Sequence, residues 1–273
     1  MSIAGGFARV RARAEEVGCE CIQVFSSNPR GWAVAALDSA DVAQFRADIK
    51  DSAISPVFCH APYLPNLAAG PGPARKRSVG AIAVQLERCA TLGIDYLVCH
   101  VGRGVGASEE RALCNVAGNV NAALALTDNR VMLLLENTAG MGSEVGYSFA
   151  QIAGVIANVA ERDRVGVMLD TAHAFAAGYE WRTKAGINAT LREFDRTVGM
   201  ARLHGLHLND SKSVFGSRVD RHEDIGNGHI GKGGLGLIVN HPLLRHLPGV
   251  METHRLSAKD DVRNMRAVRR LTQ

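Results

Sequence analysis

Short apolar runs alternate with longer amphipathic segments along the whole chain. The runs Cys21 to Phe25, Ile54 to Cys59, Tyr96 to Cys99, Val131 to Leu135, Val165 to Leu169, Leu203 to Leu206 and Gly249 to Met251 read as buried strands. Ala/Arg/Glu-rich stretches read as helices: Phe7 to Val17, Ser39 to Asp51, Lys76 to Leu92, Ser108 to Thr127, Ser148 to Asn158, Ala185 to Val198, Leu235 to Asn240 and Ala258 to Leu271. Strand alternating with helix predicts parallel βαβ units. Eight such strands would close a (β/α)8 TIM barrel of about 250 residues. Seven are visible, and the missing one belongs at the N-terminus, where the chain opens Ser2-Ile3-Ala4-Gly5-Gly6 and enters a helix.

The residues at the strand ends carry the chemistry. VFC runs into His60, LVC into His100, LLL into Glu136, VML into Asp170, GL into His207 and VM into Glu252. In a barrel the C-terminal ends of all strands open onto one face, and that face holds the active site. One such residue is commonly a helix cap or a satisfied polar group. Six of six are hard to assign to caps, because buried carboxylates and imidazoles this close repel unless cations neutralise them. Cys59 and Cys99 directly precede two of these histidines, so strand alternation turns them toward the outer helices as core residues.

Two further stretches extend the set. In VGVMLDTAHAFAAGY, His173 follows Asp170 where the next helix begins, so both side chains can share one space; an N-cap Asp with a hydrogen-bonded histidine is the blander reading. In LNDSKSVFGSRVDRHEDIGNGHIG, Asp220 and His222 are two apart and project to one side of an extended segment. With His173 they could make a three-ligand set. Lys212, Arg218 and Arg221 surround them, as suits phosphate, although a solvated basic loop has the same composition. The glycines at 226, 228, 231, 233 and 234 lack the strand-to-helix setting of a nucleotide fingerprint and read as turns.

Composition narrows the class without naming it. The 273 residues are 47% hydrophobic and uncut by a Pro/Gly/Ser linker, which predicts one domain over 1–273. No apolar run is long enough to span a bilayer and no signal core opens the chain, so a cytoplasmic protein with no membrane partner is expected. Six cysteines without a C-x-x-C pair fit a reducing compartment. A net charge of +4 permits a polyanionic partner but does not demand one.

The segments LLENTAGMG, MLDTAHAFAAGY, LHLNDSKSVFGSRVDRHEDIGNGHIG and MET, in that order, closely resemble the endonuclease IV family of apurinic/apyrimidinic DNA repair endonucleases, over nearly the whole chain. The resemblance implies a TIM barrel with three zinc ions per chain, with manganese able to replace zinc at one or more positions. It implies that His60, His100 and Glu136 hold one ion, that Glu136 bridges to a second completed by Asp170, His207 and Glu252, and that His173, Asp220 and His222 hold the third. The implied reaction is hydrolysis of the phosphodiester 5′ to an abasic site in double-stranded DNA during base excision repair, leaving a 3′-hydroxyl and a 5′-deoxyribose phosphate. Glu136 and Glu252 are the implied catalytic carboxylates, Glu252 also orienting the nucleophile. Arg30 in SSNPRGW and Tyr63 in HAPYL match the family's DNA-reading loops. A monomer that joins the nucleoid during repair is the implied setting. The family opens with a strand before its Ala-Gly-Gly, and the chain starts at that glycine pair, so the first barrel strand is expected to be missing.

Two other readings use the same residues. A metal-dependent sugar isomerase or epimerase of the same barrel type needs only Glu136, Asp170, His207 and Glu252; the additional His60, His100, His173, Asp220 and His222 favour three metals. A non-cutting remnant would bind abasic DNA without incising it, and retention of the whole ligand set argues against that.

Overall fold

Side-chain caps and glycines set where the helices begin and end. Asp38, Ser108 and Thr183 each accept a hydrogen bond from the backbone N–H three residues on, at 2.8, 3.3 and 3.0 Å, and so start three of the helices. The computed structural model describes residues 1–253 and 258–272. In chain order the elements are α1 (Val10–Val17), β1 (Ile22–Phe25), α2 (Ser39–Lys50), β2 (Val57–His60), α3 (Pro73–Leu92), β3 (Tyr96–His100), α4 (Glu109–Leu124), β4 (Met132–Glu136), α5 (Phe149–Ala157), β5 (Val165–Asp170), α6 (Thr171–Ala177), α7 (Lys184–Thr197), β6 (Leu203–His207), β7 (Asp210–Ser211), β8 (His222–Glu223), α8 (Gly231–Val239), β9 (Gly249–Val250) and α9 (Ala258–Arg269). Strands β1 to β6 and β9 follow chain order in one seven-stranded sheet, and β7 pairs antiparallel with β8. The first strand is β1, preceded by a 3-10 turn at Phe7–Arg9 and α1; none of the described residues before Phe7 is in a strand.

The chain divides into two compact units, Met1–Leu135 with Val155–Gly166, and Glu136–Gly154 with Val167–Gln273. In the first unit β1 pairs with β2 and β2 with β3, both parallel, and Phe25 lies opposite His60, which lies opposite Val98. His100 is two residues beyond Val98 and therefore on the same side of the sheet as His60. Helices α3 and α4 pack together, and Asn119 of α4 ties in the loop before α3 through the carbonyls of Leu67 and Ala69, at 2.6 and 2.9 Å. The Cys59 thiol meets the Cys89 thiol on α3, so it points to the helix layer, as strand alternation predicts.

In the second unit β5 pairs with β6 and β6 with β9, again parallel. Asp170 lies opposite His207, and His207 opposite Val250. Glu252 is two residues beyond Val250, so the same parity brings Asp170, His207 and Glu252 to one side. No helix among the described residues is long and apolar enough to cross a membrane.

Candidate metal centre

Strands β2 to β6 each reach one residue further than the apolar pattern alone suggests and take the polar residue with them, whereas β9 stops at Val250, two residues before Glu252. His60, His100, Glu136, Asp170 and His207 are the last residues of β2 to β6. In the first unit the rings of His60 and His100 lie 5.3 Å apart, edge to face, with Tyr63 5.8 Å from His60 and 6.1 Å from His100. These three residues line one small cavity with Pro62, Leu67 and Cys99.

In the second unit, ligand-capable atoms of Glu136, Asp170, His207 and Glu252 all lie within 4.8 Å of one another, and so do those of Asp170, His173 and His222. His207 Nδ1 is 2.8 Å from Glu136 Oε1, 3.4 Å from Glu252 Oε2 and 3.9 Å from Asp170 Oδ2. His173 Nε2 lies 3.1 Å from Asp220 Oδ1 and 3.3 Å from His222 Nε2, and His222 Nε2 lies 3.5 Å from Asp220 Oδ1. Glu136, Asp170 and His207 are fully buried, while Glu252 and Asp220 keep a solvent-facing edge.

The histidine tautomers follow from their carbonyl partners. His173 Nδ1 donates to the Asn137 carbonyl at 2.9 Å, His222 Nδ1 to the Glu252 carbonyl at 3.1 Å, and His60 Nδ1 to the Ala61 carbonyl at 2.6 Å. In the neutral ring each Nε2 then carries a lone pair. Two Nε2 lone pairs aimed at one another across 3.3 Å repel unless a proton or a cation lies between them.

Zinc fits this donor set. It takes imidazole nitrogen and carboxylate oxygen, and at bond lengths of ~2.0–2.1 Å its tetrahedral ligands sit roughly 3.3 Å apart. The His173, His222 and Asp220 atoms stand 3.1 to 3.5 Å apart. Among the described residues the clusters contain no thiolate. Where no cation is bound, protons take its place. Burial lowers the pKa of His207, but Glu252, Glu136 and Asp170 more than offset it and raise the pKa to about 9. Burial likewise opposes protonation of His173, and Asp170, Asp220 and Glu136 carry its pKa well above the ordinary histidine value.

Three polar residues that the sequence pattern does not mark hold this arrangement. Asn137 accepts from the Asp170 N–H at 2.7 Å and donates to its carbonyl at 3.1 Å. Asn209 donates to Asp170 Oδ2 at 2.6 Å and accepts from the Glu252 N–H at 2.7 Å. Buried Asp210 accepts from the N–H groups of Ser211, Gly226, Gly228, Ile230 and Gly231 at 2.8 to 3.2 Å. A Cβ on Gly228 would stand 2.5 Å from Asp210 Oδ1, so that position must be glycine for the loop to close over the carboxylate. N-D-S-K before a Gly-rich loop was the available signal, and the glycines alone read as turns.

Arg30 and Tyr63 both lie in the first unit. Arg30 is exposed at an Asx turn, its N–H held by Asn28 Oδ1 at 3.0 Å. Tyr63 is 54% exposed, and its N–H donates to the Pro29 carbonyl at 3.0 Å, so the two loops are tied together.

The profile of the xylose isomerase-like TIM barrel family matches residues 11–267. That fold with a buried His/Asp/Glu cluster defines a metal-dependent barrel enzyme. A probable endonuclease 4 from Methanoculleus marisnigri is 43% identical over 272 residues, 99% of this chain and 96% of that protein, and one from Methanosphaerula palustris is 44% identical over 274, with the same coverage. The crystal structure of endonuclease IV from Thermus thermophilus superposes with a TM-score of 0.88 at 37% identity, covering 99% of this chain and 96% of that one. The chain belongs to the endonuclease IV family, and it is a nuclease with a TIM-barrel fold.

Proposed function

We propose that the protein is a zinc-dependent apurinic/apyrimidinic endonuclease of base excision repair, cutting the phosphodiester 5′ to an abasic site in duplex DNA and leaving a 3′-hydroxyl and a 5′-deoxyribose phosphate. The observation that carries this reading is the buried donor cluster of the second unit, in which histidine tautomers are set and donor atoms stand at zinc-ligand spacing. Residues 1–273 act as one domain. His60, His100 and Glu136 hold one zinc; Glu136, Asp170, His207 and Glu252 hold a second; His173, Asp220 and His222 hold the third. Manganese can replace zinc at one or more of these positions.

Zinc bound by this set supplies Lewis acidity that activates water and neutralises phosphate charge. The chain's own groups do the rest. Glu252, with 24% of its side chain exposed, meets solvent and substrate, and orients the attacking water while taking up its proton. Fully buried Glu136 fixes the position of His207 through their 2.8 Å contact. Arg30 enters the duplex at the lesion and Tyr63 packs beside the displaced sugar, which leaves the stack readily because no base pairs there. The protein works as a monomer in the cytoplasm, on the nucleoid during repair, with DNA as its partner and no membrane.

The test is incision of a duplex carrying one tetrahydrofuran abasic analogue, with metal content measured on the same sample. Cutting 5′ to the analogue, close to three zinc ions per chain, and loss of at least about a thousandfold in rate in Glu136→Ala are expected, since that carboxylate serves two ions. The analogue cannot undergo β-elimination, so cutting means hydrolysis. An intact duplex together with one bound metal would overturn the reading in favour of a sugar isomerase or epimerase.

A further inference from the structure

Asp220 stands on the loop between β7 and β8 and His222 opens β8, so two of the three proposed ligands of one ion depend on where that loop leads. A stack of residues outside the ligand set holds it. Gly140, at φ +80, lies against Tyr147 so closely that a Cβ there would be 3.0 Å from the Tyr147 Cβ and Cγ. The same tyrosine ring carries the Arg218 guanidinium, 4.4 Å from its centroid. Arg218 has φ 54, the one non-glycine residue in the left-handed region among the described residues. Its N–H donates to the Ala176 carbonyl at 2.9 Å, and the Gly216 N–H to the Phe175 carbonyl at 3.1 Å. Phe215 packs edge-on to Phe175 at 5.4 Å, and Arg182 covers both rings. Asp220 follows two residues after the left-handed turn and ends 3.1 Å from His173 Nε2.

A left-handed arginine costs free energy and persists only where its surroundings over-determine it. Glycine would adopt that turn without cost, and arginine adds a guanidinium that grips an aromatic face. We propose that Tyr147 and Arg218 are positioning residues for the ion held by His173, Asp220 and His222: their stack fixes the left-handed turn that aims Asp220 at the two imidazoles. This rests on the ligand assignment proposed above.

The experiment is a cobalt(II) titration of the metal-free full-length protein, followed by the visible absorption of the bound ion. The wild type is expected to bind three ions. Tyr147→Leu and Arg218→Gly are expected to weaken one ion by roughly 10–100-fold, the range for lost outer support of a ligand, while the other two stay within about twofold. Tyr147→Phe keeps the ring face and should retain all three. Arg218→Gly relaxes the backbone and removes only the grip, so wild-type affinity in that variant overturns the proposal. Asp220→Asn separates the two levels. If it binds three ions as tightly as the wild type, the ligand assignment itself fails. If it loses one ion while Tyr147→Leu and Arg218→Gly keep all three, the assignment stands and the positioning role fails. Equal weakening of all three ions in Tyr147→Leu also overturns the role, since that marks a general loss of structure.

Discussion

Asn209 touches two proposed ligands through one amide, donating to the Asp170 carboxylate and accepting from the Glu252 backbone. Truncation to alanine frees both at once. Asn209→Ala is expected to lower zinc affinity about 10–100-fold, the usual effect of removing an outer partner of a metal ligand; competition with a chromophoric chelator measures it, and unchanged affinity would mean that strand pairing alone holds the two carboxylates. Asp210 is a different case, because its five N–H partners are backbone groups of a loop and a helix start. Each hydrogen bond to a charged group contributes roughly 1.5–3 kcal/mol, and buried donors left without a partner add their own cost, so Asp210→Ala should destabilise the fold by at least ~3 kcal/mol. Denaturant unfolding of the zinc-loaded variant reads this directly, and a loss under ~1 kcal/mol would mean that water replaces the carboxylate.

Among the elements, the seven strands were legible because a buried parallel strand is a continuous apolar run that ends where the chain turns polar. The expected ends fall one residue short of the observed ones at β2, β3, β4, β5 and β6, since the pattern stops at the last apolar residue whereas the ladder continues through the ligand. Helix starts slipped where glycine and proline hide them: α3 begins at Pro73 and α8 at Gly231, ahead of the expected Lys76 and Leu235. The short helix α6 and the β7–β8 ladder are too short to leave a periodic signal: only the N-cap marks α6, where Asp170 accepts from the His173 N–H at 2.7 Å, and the ladder rests on a longer-range bond from the Lys212 N–H to the Arg221 carbonyl at 2.9 Å. The polar strand ends were readable as ligand candidates, but Asn137, Asn209 and Asp210 were not, since Asn and Asp in loops usually mean turns. At the same scale, the turn that carries Arg30 is braced by Arg77 of α3, whose guanidinium lies 4.1 Å from the Trp32 ring centre. Such a contact contributes about 0.5–2 kcal/mol, so Trp32→Ala should raise KM for abasic duplex roughly 2- to 30-fold with kcat little changed. A fall in kcat at constant KM would place Trp32 in the chemistry instead.

For the whole molecule, the proposed zinc ions and protons would compete for the same histidine nitrogens. His207 in the folded, metal-free protein titrates at about 9, above the ordinary value of 6.5, and the His173 pKa is raised as well. A raised pKa contributes stability that is complete below the unfolded value and disappears as pH climbs through the folded one. The melting temperature of chelator-treated protein should therefore fall between pH 6.5 and about 9. Zinc-loaded protein should lack that fall, because metal affinity grows as protons leave; parallel melting curves check both, and a flat metal-free profile would show that no histidine proton stabilises the cluster. The Asp210 nest bears on what else this nuclease can use. Five inward N–H groups, one from β7, two from a Gly-rich loop and two from the helix start that follows, make the kind of cradle that elsewhere receives a nucleotide's phosphate. Here the chain's own carboxylate already fills it, so this loop has no vacancy for a nucleotide's phosphate.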